Sequence, residues 1–583
     1  MKKLKTYLTL FAFALFLLTL SSPAALAANI IVDDDAEPAV SGLYLTSKYP
    51  DDAACIQAAL DSAKSGDTIT IREGDYYITK RIYQKDKSLN IIGDGEVTLY
   101  LQTAEGVHNG LFFEGSQITK LTATADEGSY QVALSDGSQV RAGDLLKIWK
   151  GDLWCPEDYP KQMTGEVYLV KSVSRNTVTL TESLIRDYPD ASVIVYRPVE
   201  IHIENINIQD CGSTTTHEAI TLLYCIDSSV SDCNIRDSGF AGISFYCSFN
   251  VKAYDNDVRN CIKPGSGYGI GIWSGTAHSE VYSNYLENCR HTITLNSDRL
   301  DTLIRDAYIH HNDCTGGTIP GSLVIDAHPI AIDWIVEYNE IKVQPGYYAL
   351  NDGALISTFS NNKVYGGYGA VIKRGSVNGG SHVIKDNVIE GTSDSFTYRA
   401  WGSGKGETLV ITNNSQSKGR YAVYLSSEQP ESYENIIIDG NRFSNILNQG
   451  VYQKFLINGV NLKISNNTFE NIKREGIYLD GNSFTNGDVE IRNNIFVDVC
   501  PSSPGSEITI KNIQNVSVSG NQILKVPVAA FSALPASGQA PMNIAFTDTS
   551  TGSPTAWNWN FGDYTTNSAL QNPTHTYSIA GNY

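Results

Sequence analysis

The triplets Asn441-Arg-Phe443, Asn467-Thr-Phe469 and Asn494-Ile-Phe496 are copies of one pattern, Asn-x-apolar, that recurs along the chain. Successive copies lie 23 to 28 residues apart. A fixed period in the twenties is typical of a solenoid, in which one coil cannot bury its own apolar face but stacked coils can. The other copies begin at Asn256, Asn284, Asn339, Asn362, Asn387 and Asn521, and Asn312 and Asn414 fill two gaps less cleanly.

Each repeat contains short strands of alternating apolar and polar residues, such as Ile293-Thr-Leu-Asn296 and Ile477-Tyr-Leu-Asp480. Gly and Asn interrupt these strands, and no helical period lies between them, so the repeat predicts a β-solenoid. Leucine-rich repeats share the period, but their Leu-x-x-Leu-x-Leu frame is absent. Asparagine suits a recurring turn because it tolerates a left-handed backbone and its amide can bond the asparagine one coil away.

N-glycosylation is the alternative explanation for the recurring asparagines. Asn413, Asn466 and Asn515 begin Asn-x-Ser/Thr sequons. Glycosylation would explain those three positions and none of the periodicity.

Residues 29–525 resemble the right-handed parallel β-helix (pectate-lyase-like) superfamily. Asp51–Leu60 reads as an amphipathic helix and is followed by the strand-like segment Gly66–Ile71. In that superfamily such a helix caps the open N-terminal end of the coil, which would otherwise expose the core and unpaired strand edges. We therefore expect a cap and the first coils in residues 29–117 and the main helix in residues 199–525.

Residues 118–198 break the period. They contain further strand-like stretches, including Tyr130–Leu134 and Asp144–Ile148. This segment is expected to be a β-subdomain inserted between early coils.

The tail from 528 to 583 has a different pattern. It contains Trp557-Asn-Trp-Asn-Phe-Gly-Asp563 and His575-Thr-Tyr577, and it closely resembles a PKD domain, an immunoglobulin-like module of secreted archaeal and bacterial proteins. Because that family has a final strand beyond the position of Tyr583, we expect a truncated sandwich and a longer natural protein. The expected fold class is all-β: a right-handed parallel β-helix with a capping helix, an inserted subdomain and an incomplete PKD domain.

Residues 1–28 have the features of a secretory signal peptide. Lys2, Lys3 and Lys5 precede the apolar run Leu8–Leu20, and Ala25-Leu-Ala27 supplies a small-residue cleavage pattern. The run is short for a membrane span, so a secreted or cell-surface protein with no membrane span is expected. The formal net charge of −20 repels phosphate backbones, which argues against nucleic acid as a partner.

Metal binding is not predicted. The 10 cysteines form no CxxC pair or Cys/His cluster with zinc spacing, and we interpret them as small core residues rather than as disulfides. Acidic β-helix enzymes often use calcium, and Asp33-Asp-Asp35 offers hard oxygen ligands. A bare acidic run is also typical of a solvated terminus, so we assign no metal or other cofactor and keep calcium as the alternative.

Polar and aromatic residues gather on one predicted outer face of the coils between residues 273 and 401. When the coils are aligned on their strands, about 4.8 Å apart, these residues fall in or beside one outward column. Aromatic faces stack on sugar rings, cations hold acidic groups and carboxylates supply acid and base, so the composition indicates a saccharide groove. Solvated polar residues without a function are the alternative. The substrate-binding candidates are Trp273, Asn296, Asn351, Arg399 and Trp401, and the catalytic candidates are Asp298, Asp326, His328, Asp352, Lys373 and Arg374.

Two reactions compete for this cluster. In a hydrolase, two of Asp298, Asp326 and Asp352 would act as acid and base, about 5 Å apart for retention or about 9–10 Å for inversion. In a lyase, Lys373 or Arg374 would take the proton beside a uronate carboxylate.

Resemblance to known enzymes slightly favours hydrolysis. The spread of Asn/Asp, Asp, His and Lys/Arg over adjacent coils is similar to that of polygalacturonase-type hydrolases, although neither order nor motifs match. Lys373-Arg-Gly375 resembles the Arg-Gly coil of alginate and chondroitin lyases, but the Lys that those enzymes carry one coil earlier has no counterpart here.

A protein without catalytic activity is the alternative from a different class. A β-helix followed by a PKD domain is common among exported archaeal proteins that bind envelope polysaccharide or neighbouring cells. The signal, repeat and tail resemble such proteins, including the methanogen disaggregatases, which cut the cells' own heteropolysaccharide matrix. The expected partner is an acidic or amino-sugar polysaccharide, with envelope association through the PKD region.

Overall fold

The computed structural model describes most of the chain. The predicted signal peptide lies outside the described residues, except for its last two positions. In the described part, no helix combines the length and apolar character that a membrane crossing needs. The side chains of residues 109, 372–374 and 399–401 are outside the description. The described residues are 27–35, 42–102, 109–154, 163–210, 217–297, 302–319, 321–374, 379–392, 398–401, 406–425, 433–453, 460–481 and 488–583.

Parallel strands stacked coil upon coil form a β-solenoid with three ladders. One ladder is a separate sheet of 14 strands, called the front sheet here because it carries the candidate site. Its strands are Ile82–Lys85, Asn109–Glu114, Glu218–Leu223, Ala241–Tyr246, Tyr268–Trp273, His291–Asn296, Leu323–Ala327, Tyr348–Asp352, Gly369–Arg374, Tyr398–Trp401, Val423–Leu425, Val451–Gln453, Ile477–Asp480 and Ile508–Lys511.

The other two ladders belong to one sheet of 30 strands. The first lateral ladder contains Asn29–Asp33, Leu43–Leu45, Thr68–Ile78, Leu89–Leu101, Ile201–Glu204, Ser229–Ser231, Phe249–Tyr254, Ala277–Tyr282, Arg305–His310, Asp333–Glu337, Ile356–Ser360, Ser381–Lys385, Glu407–Thr412, Tyr433–Asp439, Asn461–Ser465, Val489–Arg492 and Val516–Ser519. The second lateral ladder continues from the ends of the two longest of these strands and contains Asn207–Asp210, Asn234–Arg236, Asp257–Arg259, Tyr285–Cys289, Asp313–Gly316, Glu340–Val343, Lys363–Gly366, Val388–Glu390, Ser415–Gly419, Arg442–Ile446, Thr468–Glu470, Ile495–Val497 and Gln522–Leu524.

The repeated asparagines form a continuous internal ladder at the turn between the two lateral ladders. From Asn256 to Asn521, each Nδ2 donates to the Oδ1 of the asparagine one coil further on, at 2.8–3.1 Å. Asn312 and Asn414 are full members. The sequence led us to expect a left-handed backbone at the ladder asparagine itself, and this is wrong. The residue before each ladder asparagine has the left-handed conformation, for example Asp255 (φ 55°) or Asn413 (φ 55°).

Apolar side chains from all three ladders fill the interior of the solenoid. The eight described cysteines are buried and pack as small core residues, while Cys155 and Cys211 lie outside the described residues. The helix Asp52–Ser62 packs Ile56 and Leu60 into the first coils. The side chain of Asp51 accepts a hydrogen bond from Ala54 N (2.7 Å) and so caps the start of this helix. A short 3₁₀ turn, Thr46–Lys48, precedes it.

The segment that interrupts the repeat forms a closed antiparallel barrel with its own core. The barrel also packs on the front sheet, where its Leu145, Val167 and Tyr196 join a cluster with Tyr246 and Trp273 of the solenoid. The outer face of the front sheet is therefore covered over these coils. The barrel strands are Ser116–Ala125, Gln131–Leu134, Leu145–Leu153, Met163–Ser174, Thr177–Leu180 and Tyr188–Arg197.

A charged cluster joins the barrel to the first lateral ladder. The buried guanidinium of Arg305 pairs with Glu182 of the barrel and with Asp306 (2.9 Å), and His278 Nε2 lies 2.6 Å from Glu182 Oε1. Burial alone would raise the pKa of Glu182, but the hydrogen bonds from His278 and Arg305 lower it to about 2. Asp333, whose Oδ1 accepts from Asp306 N (2.9 Å), has a pKa raised to about 6 by burial and by the charge of Asp306.

Asp333→Asn is expected to stabilise the protein at pH 7 by about 2 kcal/mol. Because folding raises this carboxyl's pKa, the native state loses stability as pH rises from about 4 through 6, and asparagine removes the loss while keeping the Oδ1 acceptor. Urea unfolding at pH 7 and at pH 4 measures this. An equal gain at both pH values would contradict the electrostatic cause.

The C-terminal region contains a sheet of three antiparallel strands, Phe531–Leu534, Met542–Asp548 and Thr574–Tyr577. The aromatic residues of its motif build a small core, in which Phe561 packs with Tyr577, and the Tyr577 hydroxyl donates to Phe561 O (2.8 Å). The aromatic positions of the motif therefore serve packing.

Candidate functional site

Asp326 is the centre of a polar cluster on the outer face of the front sheet. Its Oδ1 accepts a hydrogen bond from Asn351 Nδ2 (2.7 Å). Its Oδ2 lies 3.0 Å from His328 Nε2 and 3.6 Å from His291 Nε2. Asp326 is 1% exposed, whereas the side chain of His328 is 34% exposed. One buried carboxylate thus supports one accessible imidazole.

Asp326 is ionised in this environment. Burial opposes its charge, but His328 and His291, together with hydrogen bonds, hold the pKa of Asp326 well below its usual range. Burial outweighs the attraction of Asp326 at His291 and lowers the pKa of that imidazole to about 4. His291 is therefore neutral at neutral pH, and His328 is the accessible imidazole in contact with the ionised carboxylate.

Three buried polar atoms around Asp326 have no hydrogen-bond partner among the residues that the structure describes. They are Asn351 Oδ1, Thr294 Oγ1 and Arg290 Nε. Thr294 and Asn351 pair with Asp326 in the strands on either side, so two of these atoms lie in one outward column. Buried polar groups are nearly always satisfied in folded proteins, and these atoms are too enclosed for a sugar to contact them, so they show only that the surroundings of Asp326 are strongly polar.

Tyr268 and Asn296 extend the cluster toward the preceding coils. Arg290 Nη1 donates to the Tyr268 hydroxyl (3.3 Å), and the Tyr268 ring stacks on His291 with 5.5 Å between centroids. Burial raises the pKa of Tyr268, and the charge of Asp326 adds to that effect, while Arg290 and Asn296 oppose it. The structure therefore brings together Asn296, Asp326, His328 and Asn351 of the sequence candidates.

The single outward column expected from the sequence is wrong. Trp273 pairs with Asn296, but Asp326 pairs with Asn351, and Asp352 pairs with Lys373. These are three different positions along the strands. The alignment slipped by two residues between Asn296 and Asp326, because Leu295 pairs with Ala327, and by one residue between Asn351 and Lys373, because Asn351 pairs with Ile372. A slip of one residue also exchanges the two faces of a strand.

Asp352 points into the solenoid and not into a groove. Its Oδ2 accepts from Ser357 Oγ (2.6 Å) and lies 3.0 Å from His382 Nδ1, and its Oδ1 accepts from Trp334 Nε1 (3.3 Å). All four side chains are buried. Asp352 therefore cannot form an acid–base pair with Asp326 across a bound sugar.

Trp273 is 2% exposed and cannot offer a face to a sugar. Its ring stacks on Tyr246 with 5.4 Å between centroids, and its Nε1 donates to Ser244 Oγ (3.0 Å). The barrel covers this position, which the sequence pattern of the coils does not reveal.

Five other candidates cannot be placed in the cluster by their side chains. Asp298 lies outside the described residues. The backbones of the remaining four belong to front-sheet strands. One of the four, Arg399, lies in the column of Asp326 and Asn351, because Asn351 pairs with Ile372 and Ile372 pairs with Arg399. Those four are Lys373, Arg374, Arg399 and Trp401.

Sequence reasoning missed Tyr268, Arg290 and His291. The signal was available, because His291 begins the strand that ends at Asn296, but only the ends of the strands were compared. It also missed a row of tyrosines, Tyr424, Tyr452 and Tyr478, that occupies the column of Asp326 further along the helix.

Among the described residues, two groups of side chains have ligand atoms close enough together to hold a metal ion. One is Glu182, His278 and Asp306, where Arg305 already neutralises the carboxylates. The other is Asp33, Asp34 and Asp35, where Asp33 pairs with Arg72 (2.8 Å) and burial, followed by the charge of Asp35, raises the pKa of Asp34. Neither group touches the Asp326 cluster.

Comparison with known families agrees with the architecture. Residues 346–530 match the right handed beta helix region family, and residues 525–583 match the PKD domain family. The chain contains a right-handed β-helix and a PKD domain. No curated protein matches the sequence of this β-helix protein.

Solved structures with a similar fold include two phage tailspikes. The tailspike gp61 of Pseudomonas phage phi297 is 17% identical, with 91% of this chain and 89% of that chain covered and a TM-score of 0.56. The Gp54 tailspike of Acinetobacter baumannii bacteriophage AP22, in complex with A. baumannii capsular saccharide, is 15% identical, with 87% and 80% covered and a TM-score of 0.56. At these identities the likeness concerns the fold alone.

Proposed function

We propose that this β-helix protein acts outside the cell or at its surface and cleaves an acidic or amino-sugar-containing polysaccharide. The observation that carries the proposal is the His328–Asp326 pair, in which a buried ionised carboxylate supports an accessible imidazole on the outer face of the front sheet. A saccharide complex of a tailspike with a similar fold is consistent with a polysaccharide as the partner. The similarity to methanogen disaggregatases stays a hypothesis.

His328 is assigned the proton transfer. Its Nε2 lies against Asp326, so a proton would be exchanged with substrate at Nδ1. Asp326 holds the orientation of the ring and stabilises its protonated form. The partly exposed Asn296 would bond hydroxyl groups of a sugar, and Arg290 would face a negative or electron-rich substituent.

Hydrolysis remains the preferred reaction. As a general acid, His328 would protonate the leaving glycosidic oxygen while water attacks the anomeric carbon. Elimination would instead use His328 as the base at the carbon beside a uronate carboxylate, with Arg290 neutralising the charge. Lys373 is the lyase base expected from the sequence, and its backbone pairs with Asp352, whose side chain points inward. Because this is an inward position of the strand, the register weakens the lyase hypothesis.

A product assay with the full mature chain tests the function. The chain is incubated with a panel of envelope and uronate polysaccharides, and new reducing ends and the ultraviolet absorbance of unsaturated uronate are followed together. Reducing ends without absorbance are expected and mean a hydrolase, whereas both signals together mean a lyase. Binding without either signal would overturn the enzymatic proposal and leave a binding protein.

His328→Gln is the matched variant for that assay, with His202→Gln as its control. His202 is another partly exposed histidine, with its Nε2 3.0 Å from Glu200 Oε1, but it lies on the first lateral ladder. His328→Gln is expected to abolish product formation and His202→Gln to leave it unchanged. Equal effects of the two substitutions would remove the assignment of His328.

A further inference from the structure

Four tyrosines form a continuous stack on the front sheet beyond the candidate site. We call Tyr421, Tyr424, Tyr452 and Tyr478 the tyrosine ladder. Neighbouring ring centroids lie 5.0–5.5 Å apart with interplanar angles of 15–30°. All four side chains are partly exposed. Burial and the neighbouring tyrosines raise the pKa of Tyr452, so its hydroxyl stays protonated near neutral pH.

The tyrosine ladder is aligned with the candidate site along the axis of the solenoid. Strand pairing places Tyr424 in the same outward column as Asp326 and Asn351, with Ile372 and Arg399 between them. Four coil steps at the usual strand spacing separate Asp326 from Tyr424 by about 19 Å. An extended polymer lying along the front sheet would contact both.

Cations lie at both ends of the tyrosine ladder. The guanidinium of Arg420 is 5.7 Å from the centroid of the Tyr421 ring, and Lys511 Nζ is 5.3 Å from that of Tyr478. Among the described residues, the carboxylates near these cations include Asp480, which pairs with Lys511 in register, and Glu475, which accepts from Gln449 Nε2 (3.0 Å). In a chain with a net charge of −20, cations on a half-exposed aromatic surface favour an anionic ligand at this place.

We propose that the tyrosine ladder is a non-catalytic binding subsite for a carboxylated polysaccharide. The rings supply apolar surface for pyranose rings, the hydroxyls supply hydrogen bonds, and Arg420 and Lys511 attract the carboxylates. Single-stranded nucleic acid could use the same combination of rings and cations, but the acidity of the chain disfavours it. The inference rests on the proposed function, because it treats the ladder and the Asp326 cluster as contacts of one polymer.

Binding is measured by affinity electrophoresis and calorimetry in the His328→Gln background, so that cleavage does not interfere. The probes are polygalacturonate, alginate and hyaluronan, with dextran as the neutral polymer and oligothymidylate as the nucleic acid. At least one uronate polymer is expected to bind, with an affinity that falls as salt rises. Tyr452→Ala is expected to weaken that binding about tenfold, and Tyr452→Phe, which keeps the ring, to retain most of it.

Tyr77→Ala is the control, because Tyr77 is also exposed and stacked, on Tyr100 with 5.3 Å between centroids, but lies on the lateral sheet. Loss of binding in Tyr452→Ala with none in Tyr77→Ala supports the ladder. Any of four results would overturn the proposed subsite. Tyr452→Ala could bind as tightly as its parent, dextran alone could bind, oligothymidylate could bind more tightly than the uronate polymers, or no uronate polymer could bind. Cleavage of a uronate polymer by the wild type, with unchanged binding in Tyr452→Ala, would overturn the subsite and leave the enzymatic proposal intact.

Discussion

Asp326→Asn is expected to reduce turnover by a factor of about 10²–10⁴, the range for loss of general acid–base catalysis, with KM changed by less than about threefold. The asparagine keeps the shape of the side chain and an Oδ1 for the amide of Asn351. It removes the negative charge that orients His328 and stabilises its protonated ring. Rates of reducing-end release over a range of substrate concentrations measure kcat and KM separately. Affinity for the tyrosine ladder's probes should not change.

Asp313→Asn is a matched control for this substitution. Asp313 is also paired with a cation, Lys342 (3.1 Å), but it is partly exposed on the second lateral ladder, where an ion pair contributes little. Turnover of Asp313→Asn should equal that of the wild type. If Asp326→Asn also turned over at the wild-type rate, the Asp326–His328 pair would not be the acid–base group.

The solenoid could be predicted because its determinants are local and periodic. The spacing of Asn441, Asn467 and Asn494 gives the length of a coil without knowledge of any long-range contact, and the structure confirms the amide ladder that this spacing implies. The PKD motif could be predicted for a similar reason, since Phe561 and Tyr577 are core residues at fixed positions of a short sequence.

The candidate site could be predicted only in part, because its geometry depends on register. A shift of one residue exchanges the two faces of a strand. The interval from Asn339 to Asn362 is 23 residues, the shortest in the series, and the expected alignment slipped by one residue after it, following a slip of two residues between Asn296 and Asp326. Asp326 and Asn351 were placed together correctly, whereas Asp352 was assigned to the groove although it contacts Trp334 and His382 inside the solenoid.

Contacts between distant segments limited the prediction elsewhere. Trp273 has the sequence position of an exposed aromatic residue, but Val167 and Tyr196 of the barrel pack in the same cluster and help to bury it. No periodic pattern in the coils encodes that cover. The tyrosine ladder shows the opposite case, since Tyr424, Tyr452 and Tyr478 follow the same apolar position in three successive strands and could have been found from the sequence.

Asn414→Leu is expected to lower the free energy of unfolding by about 4 kcal/mol, because each buried polar group left unsatisfied costs about 1–3 kcal/mol. Leucine is similar in size but removes an acceptor from Asn387 N (3.1 Å) and Asn387 Nδ2 (2.8 Å). It also removes the donors to Ile384 O (2.8 Å), Thr412 O (3.1 Å) and Asn441 Oδ1 (3.0 Å). Urea unfolding followed by far-ultraviolet circular dichroism measures the loss of stability.

Asn461→Ala is the control that distinguishes the buried amide ladder from an exposed pair of asparagines. Asn461 Nδ2 also donates to an asparagine one coil away, Asn435 Oδ1 (3.1 Å), but this pair is exposed on the outer face, where water replaces the lost partner and the cost should stay below about 0.5 kcal/mol. Because coils contact only their neighbours, hydrogen exchange in Asn414→Leu should increase most in the coils that contain Asn387 and Asn441. A small, uniform increase along the whole solenoid would show that the amide ladder is not what holds adjacent coils together.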